Sequence, residues 1–418
     1  MTLLLRFEGL LLSVAVLLTT ATQLRPQGLP LGIGEIMVAS WIAWRVIVLA
    51  SNPVRKSEID LSVLLAYFWV ALFCILTAGF MLSYNSGSWD VASGSHDFIA
   101  LSFGALLSIL LAHFLRSHDR IEKFVRYLLW GSAIALVVLL FLAVTRGTFL
   151  GVDPWYMLLR FTGWSKNPNQ LALLIVSLPF LALWLIRNTQ YSCGKCIGVA
   201  LFVYLVAAVL CQSDALFVAW AVGGGVVAVF AWVGSLHRNN VSSRSAFISA
   251  IGIPGVVIAL GIWFSTTALS DFVSALINVY EQGAQGSLRL SIWSHGIDAF
   301  SDSPLVGHGP GAFSGVLGPY RGYEAHNTFI DLATNTGLLG LVLYIALIGG
   351  LLIRLFKERQ IYLFAALASI TVFSCFHYVL RHPIYWVVLV ICCRVVWSTT
   401  TVAATDLVRV AGNKPDEI

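Results

Sequence analysis

Polar residues along this chain fall in narrow bands, and between the bands lie apolar runs about as long as a helix needs to cross a bilayer, roughly 20 residues. The runs are continuous rather than alternating, so they predict helices and not the strands of a barrel. Twelve spans follow, at residues 3–21, 31–50, 61–82, 97–115, 124–145, 170–186, 197–211, 215–234, 246–266, 334–353, 361–380 and 383–399. The first has a weakly positive start and no small-residue cleavage pattern before the polar turn at 23–27, which reads as a retained span and not a signal peptide.

Composition agrees with this pattern. The 418 residues are 58% hydrophobic and 11% charged, with a mean hydropathy of +0.86, whereas about a quarter of a soluble domain is charged. The prediction is an all-α polytopic membrane protein of about twelve transmembrane helices, a single membrane domain over 1–418. Placing both termini in the cytoplasm puts most of the 25 Lys and Arg residues on the inner side. The seven cysteines imply no disulfide framework, and the single CGKC at Cys193–Cys196 lacks the second ligand pair that a zinc site needs.

Two connections are long, and both fall outside: 146–169, and a periplasmic loop region at 267–333 inserted between predicted spans 9 and 10. Outer loops are otherwise nearly free of positive charge, yet these two carry Arg146, Arg160, Lys166, Arg289 and Arg321. Within the second, Ser287–Phe300 predicts a short helix, with Leu288, Ile292, Ile297 and Phe300 at roughly helical spacing. The following SPLVGHGPGAF predicts a turn with backbone N–H groups free to face an anion.

The most informative stretch is YRGYEAHNTFIDLATNTGLL from Tyr320, where a polar segment runs into an apolar helix. His326 is read as opening that helix, on the face of Ile330, Ala333 and Gly337. Two accounts are open for it: a histidine hydrogen-bonded at a helix interface, or a general base among Glu324, Asn327, Thr328, Asp331 and Asn335. Arg160 and Arg289 fit a diphosphate, because a guanidinium stays charged and presents a planar fork of donors; Lys166 and Arg321 are weaker instances, and snorkelling to headgroups is the competing account. Asn169 is read as the cap of the sixth span, with Pro168 stopping the helix backwards. His308 reads as a turn residue, and Arg381 and His382 lie in the tight turn between the last two spans. No Walker loop, HExxH or outward carboxylate cluster is present, so no metal, nucleotide cofactor or nucleic-acid partner is called for.

Three segments, RFTGWSKNPNQLA from Arg160, SLRLSIWSHGIDAFSDSPLVGHGPGAF from Ser287 and HNTFIDLATNTGLLG from His326, resemble the O-antigen ligase and polymerase superfamily over roughly residues 160–345. The resemblance implies a bundle of the GT-C-like kind in the bacterial inner membrane, with its active site facing the periplasm. It implies ligation of O-antigen from an undecaprenyl-diphosphate donor onto a lipid A-core acceptor, with inversion and without metal. His326 matches the family's proposed base, and Arg160 and Arg289 its diphosphate-binding arginines. The chain departs from relatives at QSDALF from Gln212, where Asp214 stands in a region that often carries a Ser-Arg pair. An O-antigen polymerase shares these motifs. A transporter or flippase would instead place ionisable groups near the midplane and repeat its halves, whereas here charges gather at span ends.

Overall fold

The computed structural model describes residues 2–26, 31–51, 60–85, 91–148, 150–157, 160–188, 194–236, 284–311 and 324–412. They form, in order, helices α1 (Thr2–Leu18), α2 (Ile33–Ser51), α3 (Leu61–Asn85), α4 (Val91–Phe114), α5 (His118–Thr145), α6 (Pro168–Ile175), α7 (Leu178–Asn188), α8 (Gly194–Cys211), α9 (Asp214–Leu236), α10 (Ala284–Asp302), α11 (Thr328–Lys357), α12 (Ile361–Ser374) and α13 (Pro383–Gly412). A small antiparallel pair, β1 (Trp155–Tyr156) and β2 (Arg160–Phe161), lies between α5 and α6, with Tyr156 opposite Arg160. Among the described residues, seven helical stretches are long and apolar enough to cross a membrane, Pro168–Asn188 counted as one. Predicted span 246–266, Arg321 and Cys193 lie outside the described residues.

The helices are apolar on both their inner and their outer faces. Leu72, Leu111, Leu128 and Val388 are buried between helices, while Ile47, Val70, Ile134, Phe141, Phe202 and Ile353 are exposed around the bundle. Helices apolar all round stay soluble only when a second apolar medium covers them, and lipid supplies it. Buried indoles meet their one polar requirement internally: Trp69 Nε1 donates to Ser108 Oγ (2.8 Å), Trp386 Nε1 to the Leu380 carbonyl (2.7 Å). The two rings pack 4.5 Å apart between α3 and α13.

Charge collects at the two ends of the bundle. At one end Arg45 pairs with Glu8, and Arg116 and Arg394 pair with Asp60. At the other, Gln23 donates to the carbonyls of Asp153 (2.7 Å) and Ser165 (2.9 Å), Ser165 Oγ to the Thr20 carbonyl, and Arg381 pairs with Asp97. The loops gathered at this second end are those the sequence assigns to the outside.

Three spans depart from the sequence reading. The sixth breaks after Ile175; the Val176 carbonyl accepts from Trp220 Nε1 (2.9 Å), and Ser177 Oγ donates to the Ala366 carbonyl (3.2 Å), so tertiary partners replace helix bonds. The eleventh ends at Ser374 rather than 380, which leaves 375–382 non-helical at the outer end. The tenth is interrupted at Gly337, with φ +61° and ψ −162°. In an unbroken helix Leu338 N and Leu339 N would donate to Thr334 O and Asn335 O. Here they donate to Pro304 O (2.8 Å) and Leu305 O (3.2 Å), while Thr334 O and Asn335 O accept from His308 N (2.8 Å) and Gly309 N (2.9 Å).

These four displaced main-chain groups thus find new partners, the condition for irregular backbone at membrane depth. A Cβ at Gly337 would stand 2.2 Å from the Leu305 carbonyl carbon, and one at Gly79 of α3 2.5 Å from Gly309 N. The 304–309 turn is therefore wedged between α3 and α11. The N–H groups of Gly307, His308 and Gly309 are engaged within the fold, so those three do not face an anion as the sequence suggested.

Candidate active site

Local capping fixes the position of His326. Helix α11 starts at Thr328, with Asn327 as its cap: Asn327 Oδ1 accepts from Phe329 N (3.0 Å) and Ile330 N (3.4 Å). His326 therefore precedes the helix rather than opening it, and it holds a left-handed backbone (φ +52°), uncommon for a residue with a side chain. The buried carboxylate of Asp331 reaches back from the first turn, accepting from Ala325 N (2.7 Å) and Asn327 N (3.1 Å). The main chain on both sides of His326 is thereby clamped.

The imidazole takes its orientation from a chain of charges. His326 Nδ1 stands 3.1 Å from Glu324 Oε1; Glu324 Oε2 pairs with Arg381, whose other nitrogen lies 2.9 Å from Asp97 Oδ1. Asp97 is 4% exposed, Arg381 and Glu324 20% each, and His326 44%. The chain thus runs from a buried anchor to an accessible ring. With Nδ1–H donating to Glu324, Nε2 carries the lone pair, as a base requires. Burial and the nearby Arg289 guanidinium push the His326 pKa down, which keeps the ring neutral near pH 7.

Helix α10 brings Arg289 to the same place. Trp293 Nε1 donates to the Ala325 carbonyl (2.8 Å), docking the helix beside His326, and Arg289 lies one turn earlier on the same face. Burial lowers the Arg289 pKa, with Asp214 opposing that shift and Arg160 adding to it. Asp214, left without a role by the sequence, lies close enough to favour the charge on Arg289. Arg160, on β2, donates from Nε to the Cys211 carbonyl (3.1 Å) and from a terminal nitrogen to the Gln212 carbonyl (2.8 Å), gripping the α8–α9 turn. Its remaining donors stay available to a ligand. His377, stacked on Phe373, is coupled to Arg289 and His326; burial and those charges push its pKa down to about 3.

The structure therefore gathers Arg160, Arg289 and His326 at one end. Asn169 sits at the edge, accepting from Ser213 Oγ (3.0 Å), but it does not cap α6: Asn167 does, with Pro168 in the first turn. Lys166 is exposed, and its backbone N–H is tied to Thr22 Oγ1 (2.8 Å). His308 is structural, with Nε2 2.7 Å from the Ala299 carbonyl and Nδ1 3.2 Å from Ser83 Oγ. Sequence reasoning missed Asp97, Trp293 and the function of Arg381; the one signal for Arg381 was a basic residue on an outer loop otherwise poor in charge.

Residues 199–345 match the family model described as O-antigen ligase, a stretch that includes Asp214, Arg289 and His326. The chain is also similar to the exopolysaccharide production protein ExoQ of Rhizobium meliloti (strain 1021), 24% identical over 235 residues that cover 52% of each protein. It thus spans about half the length of that curated relative.

Proposed function

We propose that this chain, a member of the O-antigen ligase superfamily through residues 199–345, is a glycosyltransferase that moves a glycan from undecaprenyl diphosphate to a sugar hydroxyl of lipid A-core. The observation that carries this reading is an accessible imidazole held by Glu324 at Nδ1, with the guanidinium of Arg289 close enough to act on it electrostatically. A sugar hydroxyl placed at Nε2 gives up its proton to His326 as its oxygen attacks the anomeric carbon from the face opposite the diphosphate. The anomeric C–O bond breaks, its electron pair stays on the diphosphate, and the configuration inverts. Arg160 and Arg289 neutralise the charge that develops there, the task that a divalent cation performs in many soluble glycosyltransferases. The imidazolium then returns its proton to solvent.

In this reading the site faces the periplasm from the inner membrane, both termini are cytoplasmic, and the reaction needs no metal. Lys166 and Asn169 are assigned to donor binding, as is Arg321, which lies outside the described residues. The identity of the relative, an exopolysaccharide production protein, favours a second reading, in which the acceptor is another lipid-linked glycan and the product a longer chain. Reconstitution with lipid-linked polysaccharide and lipid A-core, with and without EDTA, tests both. Capped core formed in EDTA supports the ligase, lengthened lipid-linked chain without capping supports the polymerase, and loss of all product in EDTA overturns metal independence.

A further inference from the structure

The end of the bundle opposite His326 holds a second concentration of charge that the transfer reaction does not use. Four arginines, Arg45 on α2, Arg116 and Arg120 around the end of α4, and Arg394 on α13, converge on the last turn of α4. Arg394 Nε bonds the Ala112 carbonyl, Arg120 donates to the Phe114 carbonyl (3.1 Å), and a terminal nitrogen of Arg45 lies 3.0 Å from His113 Nδ1. Among the described residues two carboxylates pair with these cations: Glu8, 3.5 Å from Arg45, and Asp60, 2.6 Å from Arg116 and 2.8 Å from Arg394. The carbonyls at the helix end offset part of the remaining positive charge.

Hydrogen-bond satisfaction is incomplete in the same place. Arg45 is 5% exposed and Arg394 3% exposed, yet Arg45 Nε, one terminal nitrogen of Arg394 and His113 Nε2 are buried with no partner among the described residues. Burying a guanidinium with unmet donors is costly, and three such atoms on three neighbouring residues call for an acceptor. The flanks of the cluster are open: Arg116 has 38% of its side chain exposed, and α2 and α3 present Trp44, Ile47, Leu64 and Tyr67 to the surrounding apolar medium. We propose that this cluster binds a phosphate group, the acceptor that best matches several guanidinium donors and an imidazole at once. Its source is either the headgroup of an anionic phospholipid in the leaflet opposite the transfer site or a free phosphate anion.

The test uses the full chain in phosphatidylcholine nanodiscs, with thermal unfolding and native mass spectrometry as readouts. Phosphatidylglycerol in one arm and inorganic phosphate in the other separate the two sources. Stabilisation with retained lipid in the first arm alone assigns the headgroup, and stabilisation in both assigns the free anion. Either result must weaken about 10-fold or more in Arg45→Gln and Arg394→Gln, the size expected for losing a charged hydrogen bond. Arg116→Gln, at the partly exposed rim, serves as the variant that keeps its fold and still weakens binding. Absence of stabilisation in both arms, or full retention in Arg116→Gln, overturns the proposal and leaves an internal ion-pair network.

Discussion

Glu324 holds His326 by its Nδ1 at 3.1 Å, and Arg381 holds Glu324 from the far side. Under the proposed mechanism Glu324 is a positioning residue that fixes tautomer and ring direction, and the transferred proton goes to Nε2. His326→Ala is expected to lower transfer by about 10²–10⁴-fold, the contribution of a general base, with insertion and thermal stability unchanged. Wild-type levels of product in that variant would end the assignment. Glu324→Gln is expected to lose roughly 10–100-fold in kcat with little change in KM, because substrate contacts remain while ring orientation is lost.

The acid limb of the pH profile follows from the direction of the His326 shift. Burial and then Arg289 lower its pKa from the ordinary 6.5, so activity should persist below pH 6.5 and fall only as the ring gains a proton. Replacing Arg289 with Gln removes the repelling charge, and the midpoint of that limb should move upward towards 6.5, apart from any loss in rate. A limb that stays in place in Arg289→Gln would show that the titrating group is not His326.

Gly337→Ala is expected to be the most damaging single methyl addition in α11. Its φ of +61° disfavours any side chain, and a Cβ would overlap the Leu305 carbonyl. A loss of about 3 kcal/mol or more is expected, read as a lower unfolding midpoint in detergent with reduced membrane yield. Gly349, with open space around its Cβ position, serves as the control in the same helix, where Ala should be neutral or mildly stabilising.

Asp60→Asn is expected to cost about 3–5 kcal/mol, because it leaves Arg394 buried with its carboxylate partner gone. Burial alone would raise the Asp60 pKa, but bonds from Arg394 and Arg116 outweigh it and hold the carboxyl well below its ordinary 3.8. The stabilisation it gives is therefore complete above about pH 4, and it is lost only as pH falls through the depressed value. Unfolding midpoints at pH 5 and pH 7 should accordingly differ little on account of this residue, and a steep loss between them would contradict the pairing.

Spans such as α3, α5 and α9 were legible in the sequence because apolar length alone decides them. The breaks were not, because each depends on a partner far along the chain: Trp220 at Val176, and the 304–309 turn at Gly337. The same holds at the site. His326, Arg160 and Arg289 were singled out by residue type and predicted position, and the structure brings them to one end of the bundle, whereas Arg381 and Asp97 became visible only once the non-helical 375–382 segment met the start of α4. Asn167 and Asn169 shared the same local signal, and only the φ/ψ values of the turn separate cap from neighbour.

The crossed main-chain bonds around Gly337 also bear on motion. They join the turn after α10 to the body of α11, so the helix that carries Arg289 and the segment that carries His326 are riveted together at two points, there and at Trp293. Neither can swing without the other. Arg160 stands outside that unit, on the hairpin between α5 and α6, where it holds the α8–α9 turn by two carbonyl contacts. The proposed base and Arg289 are thus held as one body, and Arg160 reaches the same end of the bundle through a separate set of contacts.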